Sequence, residues 1–303
     1  MSKYEKSAEL SELTLGKVTQ YVSKYTPDLL QAVPRSLNRN DLSLSNTKLP
    51  FFGEDVWYGY ELSWLNNKGK PIVAVAEFRF PCTSPNLVES KSFKLYLNSF
   101  NQTRFSCIDE VKNALETDLS HIAGAPAKAE LFDVEDCPNL AIKDTQGEFI
   151  CIDNEEISMD DYQYNAALLN NLQHEITVGS IHNKDVTNTE VNTTEMHCEN
   201  KIVSHLLKSN CLITNQPDWA SIYITYRGKP INNAQLLKYL ISFRLHNEFH
   251  EQCVERIFCD LQHFAHFEEL TVFARYTRRG GLDINPFRST HLSKAPANRT
   301  LRQ

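Results

Sequence analysis

VWYGYELSWL (56–65), NNKGKP (66–71) and IVAVAEFRF (72–80) decide the fold class. The outer two segments are rich in β-branched and aromatic residues. The Asn/Lys/Gly/Pro run between them is a hairpin loop, so two antiparallel strands are predicted here. Working outward, KSFKLYLNSF (91–100) alternates and predicts a further strand. It would carry Glu89, Lys91 and Phe93 on one face and Ser90, Ser92 and Lys94 on the other. A helical stretch follows at 107–119, then strand-like pieces at 130–134 and 148–152. Upstream, 9–24 reads as a helix, and a turn-rich run passes through Pro27, Pro34 and Asn38.

Residues 153–197 are polar and weakly periodic, and read as a connector that is helical in part. Beyond it, ASIYITYR (220–227) predicts a strand, 234–264 one long amphipathic helical region, and LTVFARYTRR (270–279) the last strand before a Pro/Gly-rich tail. The halves echo one another. Gly-Lys-Pro follows an aromatic strand at 69–71 and again at 228–230, and a glutamate comes about twenty positions later, Glu89 and Glu251. Two strands, a helical layer and two more strands per half would form a duplicated α+β unit, divided into 1–185 and 186–303.

Composition narrows the function. The 303 residues are 41% hydrophobic and 10% aromatic, enough for a genuine core. Lys+Arg number 31 against 38 Asp+Glu, a formal charge of −7. That balance gives no generic attraction to nucleic acid or an anionic membrane, although a local basic patch still suits a phosphate. No stretch reaches the roughly 18 apolar residues of a membrane span, and the start MSKYEKSAEL lacks a signal-peptide core. The expectation is a cytoplasmic protein that binds neither nucleic acid nor membrane. Its eight cysteines are scattered without a CxxC pair, which reads as reduced thiols.

Several groups carry chemistry if they are brought together. SNCLITNQPDW (209–219) sets Cys211 before a strand with Asp218 seven positions on. A partly exposed thiol can act as a nucleophile and a nearby acid can move its proton. By itself the segment favours a small buried residue and a turn aspartate. His250 and Glu251 are adjacent and about 100° apart on a helix, able to flank a ligand; a solvated helix face is the plainer account. Cys259, His263 and His266 share one helix face, as metal ligands do, but have no fourth ligand at a recognisable spacing. RRGG (278–281) is a phosphate-binding turn or an ordinary strand-end loop. Neither GxGxxG nor GxxxxGK[ST] occurs.

Taken together, ESKSFKLY (89–96), LLQAVPRSLNR (29–39), YELSWLNNKGKP (60–71), the Cys211–Asp218 segment, FHE (249–251) and RYTRRGGLDINPFRS (275–289) resemble the long, two-module form of the QueF family. These are NADPH-dependent 7-cyano-7-deazaguanine reductases of queuosine tRNA modification. The resemblance spans nearly the whole chain and is weakest in the polar connector. It implies tandem tunnelling-fold (T-fold) modules, antiparallel sheets with helices on one face, closed into a barrel-like homodimer. It implies reduction of a nitrile to a primary amine by two NADPH, with no metal or flavin.

On that resemblance Cys211 is the nucleophile forming a covalent thioimide, Asp218 the general acid, and His250 a second proton donor or orienting group. Val88, Glu89, Ser90, His250 and Glu251 line the deazapurine pocket, while Ser90, Lys91, Arg279 and Gly280 contact the cofactor. A carboxylate suits a guanine-like ring because it accepts from two parallel donors, the ring N–H and the exocyclic amine. Two rival readings stand beside this one. One is a zinc-dependent purine or pterin cyclohydrolase of the same fold, for which the Cys259/His263/His266 face is the discriminator. The other is a catalytically inert deazaguanine-binding module.

Overall fold

The computed structural model describes residues 21–44, 48–135, 148–170, 172–173, 198–212, 214–297 and 299–303. Most of the helix expected over 9–24 and of the polar connector lies outside these residues, as does the 185/186 boundary. Residues 21–24 are not helical, and the described part of the connector holds a 3-10 turn at Ala166–Leu169.

The chain enters through β1 (Ala32–Pro34) and the single helical turn α1 (Ser36–Arg39). The expected hairpin follows as β2 (Phe52–Leu65) and β3 (Pro71–Pro81), antiparallel with a bulge between Gly59 and Leu62. Next come β4 (Asn86–Val88), which pairs with β1, then α2 (Ser90–Ser99), α3 (Ile108–Ala123) and β5 (Lys128–Phe132). Two-residue β6 (Ile150–Cys151) precedes β7 (Cys198–Asn210), β8 (Pro217–Gly228), α4 (Asn233–Ser242), α5 (His250–Ala265), β9 (Glu269–Tyr276) and β10 (Leu282–Ser289). One eight-stranded sheet results, in the order β5-β3-β2-β10-β9-β8-β7-β6. Its pairs are antiparallel except β6 with β7.

Three expectations are corrected. Residues 91–99 belong to helix α2, not to a strand, and Phe100 is its C-cap. Phe93, Leu95 and Leu97 alternate, but Phe93, Tyr96, Leu97 and Phe100 also fall at helical spacing, and the cap decides between the two patterns. The Glu89 carboxylate accepts from the backbone N–H groups of Lys91 and Ser92, and Ser92 Oγ donates back to the Glu89 carbonyl. The long helix expected over 234–264 is broken. Between α4 and α5 a 3-10 turn (Phe243–Leu245) gives way to extended backbone at His246, whose carbonyl accepts from Asn210 N at 2.8 Å. Finally, the tail read as irregular contains β10, which pairs with β2 over eight residues and joins the two halves of the sheet.

The order strand–strand–helix–helix–strand occurs twice, but the Gly-Lys-Pro echo does not mark it. The first copy sits in the β2–β3 turn and the second at the end of β8, before α4. Glu89 likewise caps the first helix of its half, whereas Glu251 lies in the first turn of the second.

The helices pack on one sheet face over two cores. Beneath α2 and α3 lie Trp57, Ala76, Phe78, Phe80 and Ile284; beneath α4 and α5 lie Ile222, Ile224, Val272, Ala274 and Tyr276. Phe93 is the hub of the first, its ring 4.9 Å from that of Phe78 and 5.5 Å from that of Trp57. Burying each such side chain contributes about 1.5–3 kcal/mol.

Between the cores runs a buried ionic seam. Glu255 of α5 accepts from Arg39 at 2.7 and 3.0 Å and from Arg288 at 2.9 Å, while Asp55 of β2 meets Arg288 at 2.8 Å and Arg35 at 2.5 Å. Burial would raise both carboxyls, but the guanidinium groups outweigh it and hold them below the usual range. Removing one partner of such a seam costs about 3–5 kcal/mol, because a buried charge is left uncompensated.

Candidate active site

β10 and β9 pair only from Phe287–Phe273 to Ser289–Thr271, then part toward their connecting turn. The N-terminal end of α5 lies beside the opening, because the broken helix delivers it there. A cleft of about 330 Å³ results, lined by Trp57, Val88, Ser90, Cys211, Asp218, Glu248, Phe249, His250, Glu251, Arg279 and Ile284. Of the residues expected from sequence, Cys211, Asp218, His250, Glu251, Val88, Ser90 and Arg279 therefore meet in one place.

Cys211 is partly exposed at the β7–β8 turn. Its N–H donates to the Gln216 carbonyl at 2.8 Å, and its own carbonyl accepts from Asn215 N at 3.1 Å and Asn247 Nδ2 at 3.2 Å. Asp218 opens β8 and is 3% exposed. Its Oδ1 lies 3.1 Å from Arg279 Nη2 and 3.5 Å from His250 Nε2. Burial alone would raise this carboxyl, yet His250, Arg279 and Lys94 prevail and hold it below the usual range. Asp218 is therefore held as an anion. The His250 ring stands edge-on to Tyr276, with centroids 4.1 Å apart.

Glu251 has the opposite character. Burial, reinforced by the Asp55 charge, pushes its carboxyl up to about 7. Two carboxyls on one cleft are thus driven apart in acidity, a pattern typical of acid–base sites.

Three expected residues are not on this cleft. Glu89 is buried as the cap of α2, both of its oxygens engaged by backbone N–H groups. Lys91 gives its backbone N–H to that cap. Gly280 lines a second cleft of about 440 Å³, between α2 and the β9–β10 turn, with Glu61, Lys94, Leu97, Asn98, Asn101, Gly281 and Leu282. Gly280 has φ +54°, and a Cβ there would stand 3.2 Å from Lys94 Cδ. Burial and the Arg279 charge both lower the Lys94 ammonium.

Sequence reasoning missed Trp57, Glu248 and Ile284 as lining residues, and Lys94 at the second cleft. The signal for Lys94 was present: positions 94, 97, 98 and 101 share one face of a helix, but not of a strand. The metal face expected for the zinc rival does not form. Among the described residues, Cys151, Asp153 and His205 make the sole convergence of three metal-ligand types, and none of them lines the cleft. Both Asp153 oxygens already accept there, from Ser204 Oγ and His205 N. Cys259 is buried enough to push its thiol up to about 12. Among the described residues no helix is long and apolar enough to cross a membrane.

Family models match both halves. One, described as nitrile reductase, 7-cyano-7-deazaguanine-reductase N-term, covers residues 21–131, and one described as QueF-like protein covers 217–295. The NADPH-dependent 7-cyano-7-deazaguanine reductase of Colwellia psychrerythraea (strain 34H) is 65% identical over 303 residues, 100% of both chains. Among solved structures, the apo archaeosine synthase QueF-Like aligns with 33% of this chain and 95% of its own, at 16% identity and TM-score 0.27, which is too low to bear on the fold. With 65% identity to a relative along its whole length and a family model on each half, the chain belongs to the QueF family of NADPH-dependent 7-cyano-7-deazaguanine reductases.

Proposed function

We propose that this protein reduces the nitrile of 7-cyano-7-deazaguanine to the primary amine of 7-aminomethyl-7-deazaguanine, consuming two NADPH, in queuosine biosynthesis. The observation that carries the chemistry is the meeting of a partly exposed thiol and an anionic carboxylate, Cys211 and Asp218, on one cleft. A nitrile carbon is a modest electrophile, so covalent activation lowers the barrier to hydride addition. Cys211 passes its thiol proton to Asp218, and the sulfur bonds to the nitrile carbon. One π bond breaks, its electron pair moves to nitrogen, and Asp218 returns the proton there, leaving a thioimide on Cys211. When bound, NADPH supplies two hydrides in succession to that carbon. The first hydride would be matched by a proton on nitrogen. The C–S bond then breaks with its pair returning to sulfur, the thiolate takes one proton back from the iminium nitrogen, and the second hydride would be matched by a proton on that nitrogen. The sum is nitrile, two NADPH and two protons giving amine and two NADP+. His250, 3.5 Å from Asp218, serves to reload that carboxylate with protons.

The base is held by Glu251, which accepts from the ring N–H and the exocyclic amine, between Val88, Ser90 and His250. The Lys94/Gly280 cleft suits a phosphate-bearing ligand: it offers a cation and two glycines at positive φ, where a side chain would fill the cradle. Lys94 and Arg279 would hold the phosphates of NADPH, with Ser90 and Lys91 nearby on α2. Glu89 acts on substrate through α2, whose first turn it caps. The repeated element order supports two T-fold modules, 1–185 and 186–303. A cytosolic homodimer free of nucleic acid rests on the family resemblance and the acidic charge.

Mixing protein, NADPH and the cyano base is expected to consume two NADPH per base, followed by nicotinamide absorbance. Without NADPH, mass spectrometry is expected to find the base bonded to Cys211. Cys211→Ala removes the adduct and lowers turnover by about a thousandfold or more. Turnover at the native rate by that variant overturns the mechanism.

A further inference from the structure

Trp57 sits on β2 opposite Phe78 of β3 and Ile284 of β10, its ring packed 5.9 Å from that of Phe80 and 5.5 Å from that of Phe93. It is 2% exposed, yet it borders the cleft beside Val88 and Glu251. Its Nε1–H is buried and meets no acceptor among the described residues. An indole N–H can only donate, and a buried donor left unpaired is costly, so such groups nearly always find a partner. Among the cleft's lining residues no other buried donor lacks a hydrogen bond; the other buried atom there without one is an acceptor, Asp218 Oδ1, which has Arg279 and His250 as ion-pair partners.

We propose that the Trp57 indole N–H donates to the ring carbonyl oxygen of the deazaguanine, making Trp57 a specificity-determining residue for the oxo base. The proposal rests on the reading of this cleft as the nitrile reductase site. A guanine-type edge presents, in order, a carbonyl acceptor, a ring N–H and an amine. Glu251 complements the two donors and leaves the carbonyl without a partner. Trp57, on the lining of the same cleft, would supply the missing donor. A ring bearing an amino group in place of the carbonyl would set donor against donor, and a site built this way rejects it. The ring of Trp57 is fixed by its aromatic neighbours, so the N–H is preorganised and loses little entropy on binding.

The test is a cycle of two ligands and two proteins, run in the Cys211→Ala chain so that only non-covalent affinity is read. The ligands are 7-cyano-7-deazaguanine and its analogue with hydrogen in place of the carbonyl oxygen. The analogue also lacks the ring N–H, and the cycle cancels that loss. Trp57→Phe is expected to weaken the oxo base by about tenfold to a hundredfold and to leave the analogue unchanged. A second variant carrying 3-benzothienylalanine at position 57 keeps the shape and replaces N–H by sulfur; it is expected to behave in the same way. Unchanged oxo-base affinity in either variant, or equal losses for both ligands, overturns the proposal. Failure to bind either ligand in the parent chain overturns the reading of the site as well.

Discussion

The two long hairpins occupy corresponding places in the two halves and close in different ways. The β2–β3 turn closes its own tip, while Leu65 at the end of β2 is tied to the segment after α2: its N–H donates to the Thr103 carbonyl and its carbonyl accepts from Phe105 N, both at 2.9 Å. Asn66 Oδ1 accepts from Lys68 N at 2.9 Å and Lys70 N at 3.0 Å, and Gly69 takes the positive φ, +79°. Asn210 at the end of β7 makes the matching backbone tie, and here the distant segment also reaches the turn itself through the Asn247 side chain. Asn210 N donates to the His246 carbonyl at 2.8 Å, Glu248 N to the Asn210 carbonyl at 3.1 Å, and Asn247 Nδ2 to the Cys211 carbonyl at 3.2 Å. The same tie breaks the helix and brings His250 and Glu251 to the thiol. A tip that closes on itself is placed by its own strands; a tip whose backbone also takes bonds from a distant side chain is placed by whatever lends them. The candidate site lies at the second.

The comparison can be broken in four ways. Asp218→Asn keeps the shape of the second hairpin and removes its proton acceptor, so adduct formation is expected to slow about 10²–10⁴-fold in stopped-flow measurements. Unchanged rates would remove Asp218 from proton transfer. Asn247→Ala cuts the tether without touching substrate. We expect kcat per folded molecule to fall about tenfold with KM little changed, and thiol alkylation of Cys211 to change rate; an equal rise in KM would mean that Asn247 places the substrate as well as the thiol.

The lender's side of the cleft has its own signature. The Glu251 carboxyl is neutral below about 7, whereas in the proposed complex it accepts from two donors as an anion. Substrate binding therefore lowers its pKa and releases about half a proton at pH 7, more at pH 6 and almost none at pH 9. Calorimetry in buffers of different ionisation enthalpy reads this directly; zero release at pH 6 would contradict the ionised complex. Asn66→Ala is the smallest case. It costs the first hairpin about 0.5–1.5 kcal/mol in thermal unfolding and leaves kcat where it was. A loss of activity there would mean that the two turns are not as separate as their hydrogen bonds make them.

The seam gives the halves a shared dependence on acid. Asp55 and Glu255 are held below their unfolded values by the guanidinium groups, which outweigh burial. Their contribution is in place above the unfolded pKa and is lost as pH falls through the folded one.

Local chemistry was legible along the chain. NNKGKP announced the first hairpin because its bonds close within five residues, and 107–119 showed the apolar spacing realised in α3. Cys211 and Asp218 read by themselves as a small buried residue and a turn aspartate; only the long matching strings, which identified the family, singled them out. Three features needed the folded chain. Residues 91–100 satisfy both a strand and a helix pattern, and the choice fell to a buried Glu89 cap that propensity does not register. Lys94 came to the second cleft only through that choice.

The separation of Asp218 from Glu251 was not written in residue type. Both are buried acids, and each takes its charge state from partners distant in sequence: Arg279 and His250 for the one, Asp55 for the other. Hydrogen bonds that close over a few residues belong to the sequence. Burial and charge belong to the packing, since solvation and Coulomb energy depend on distance through space.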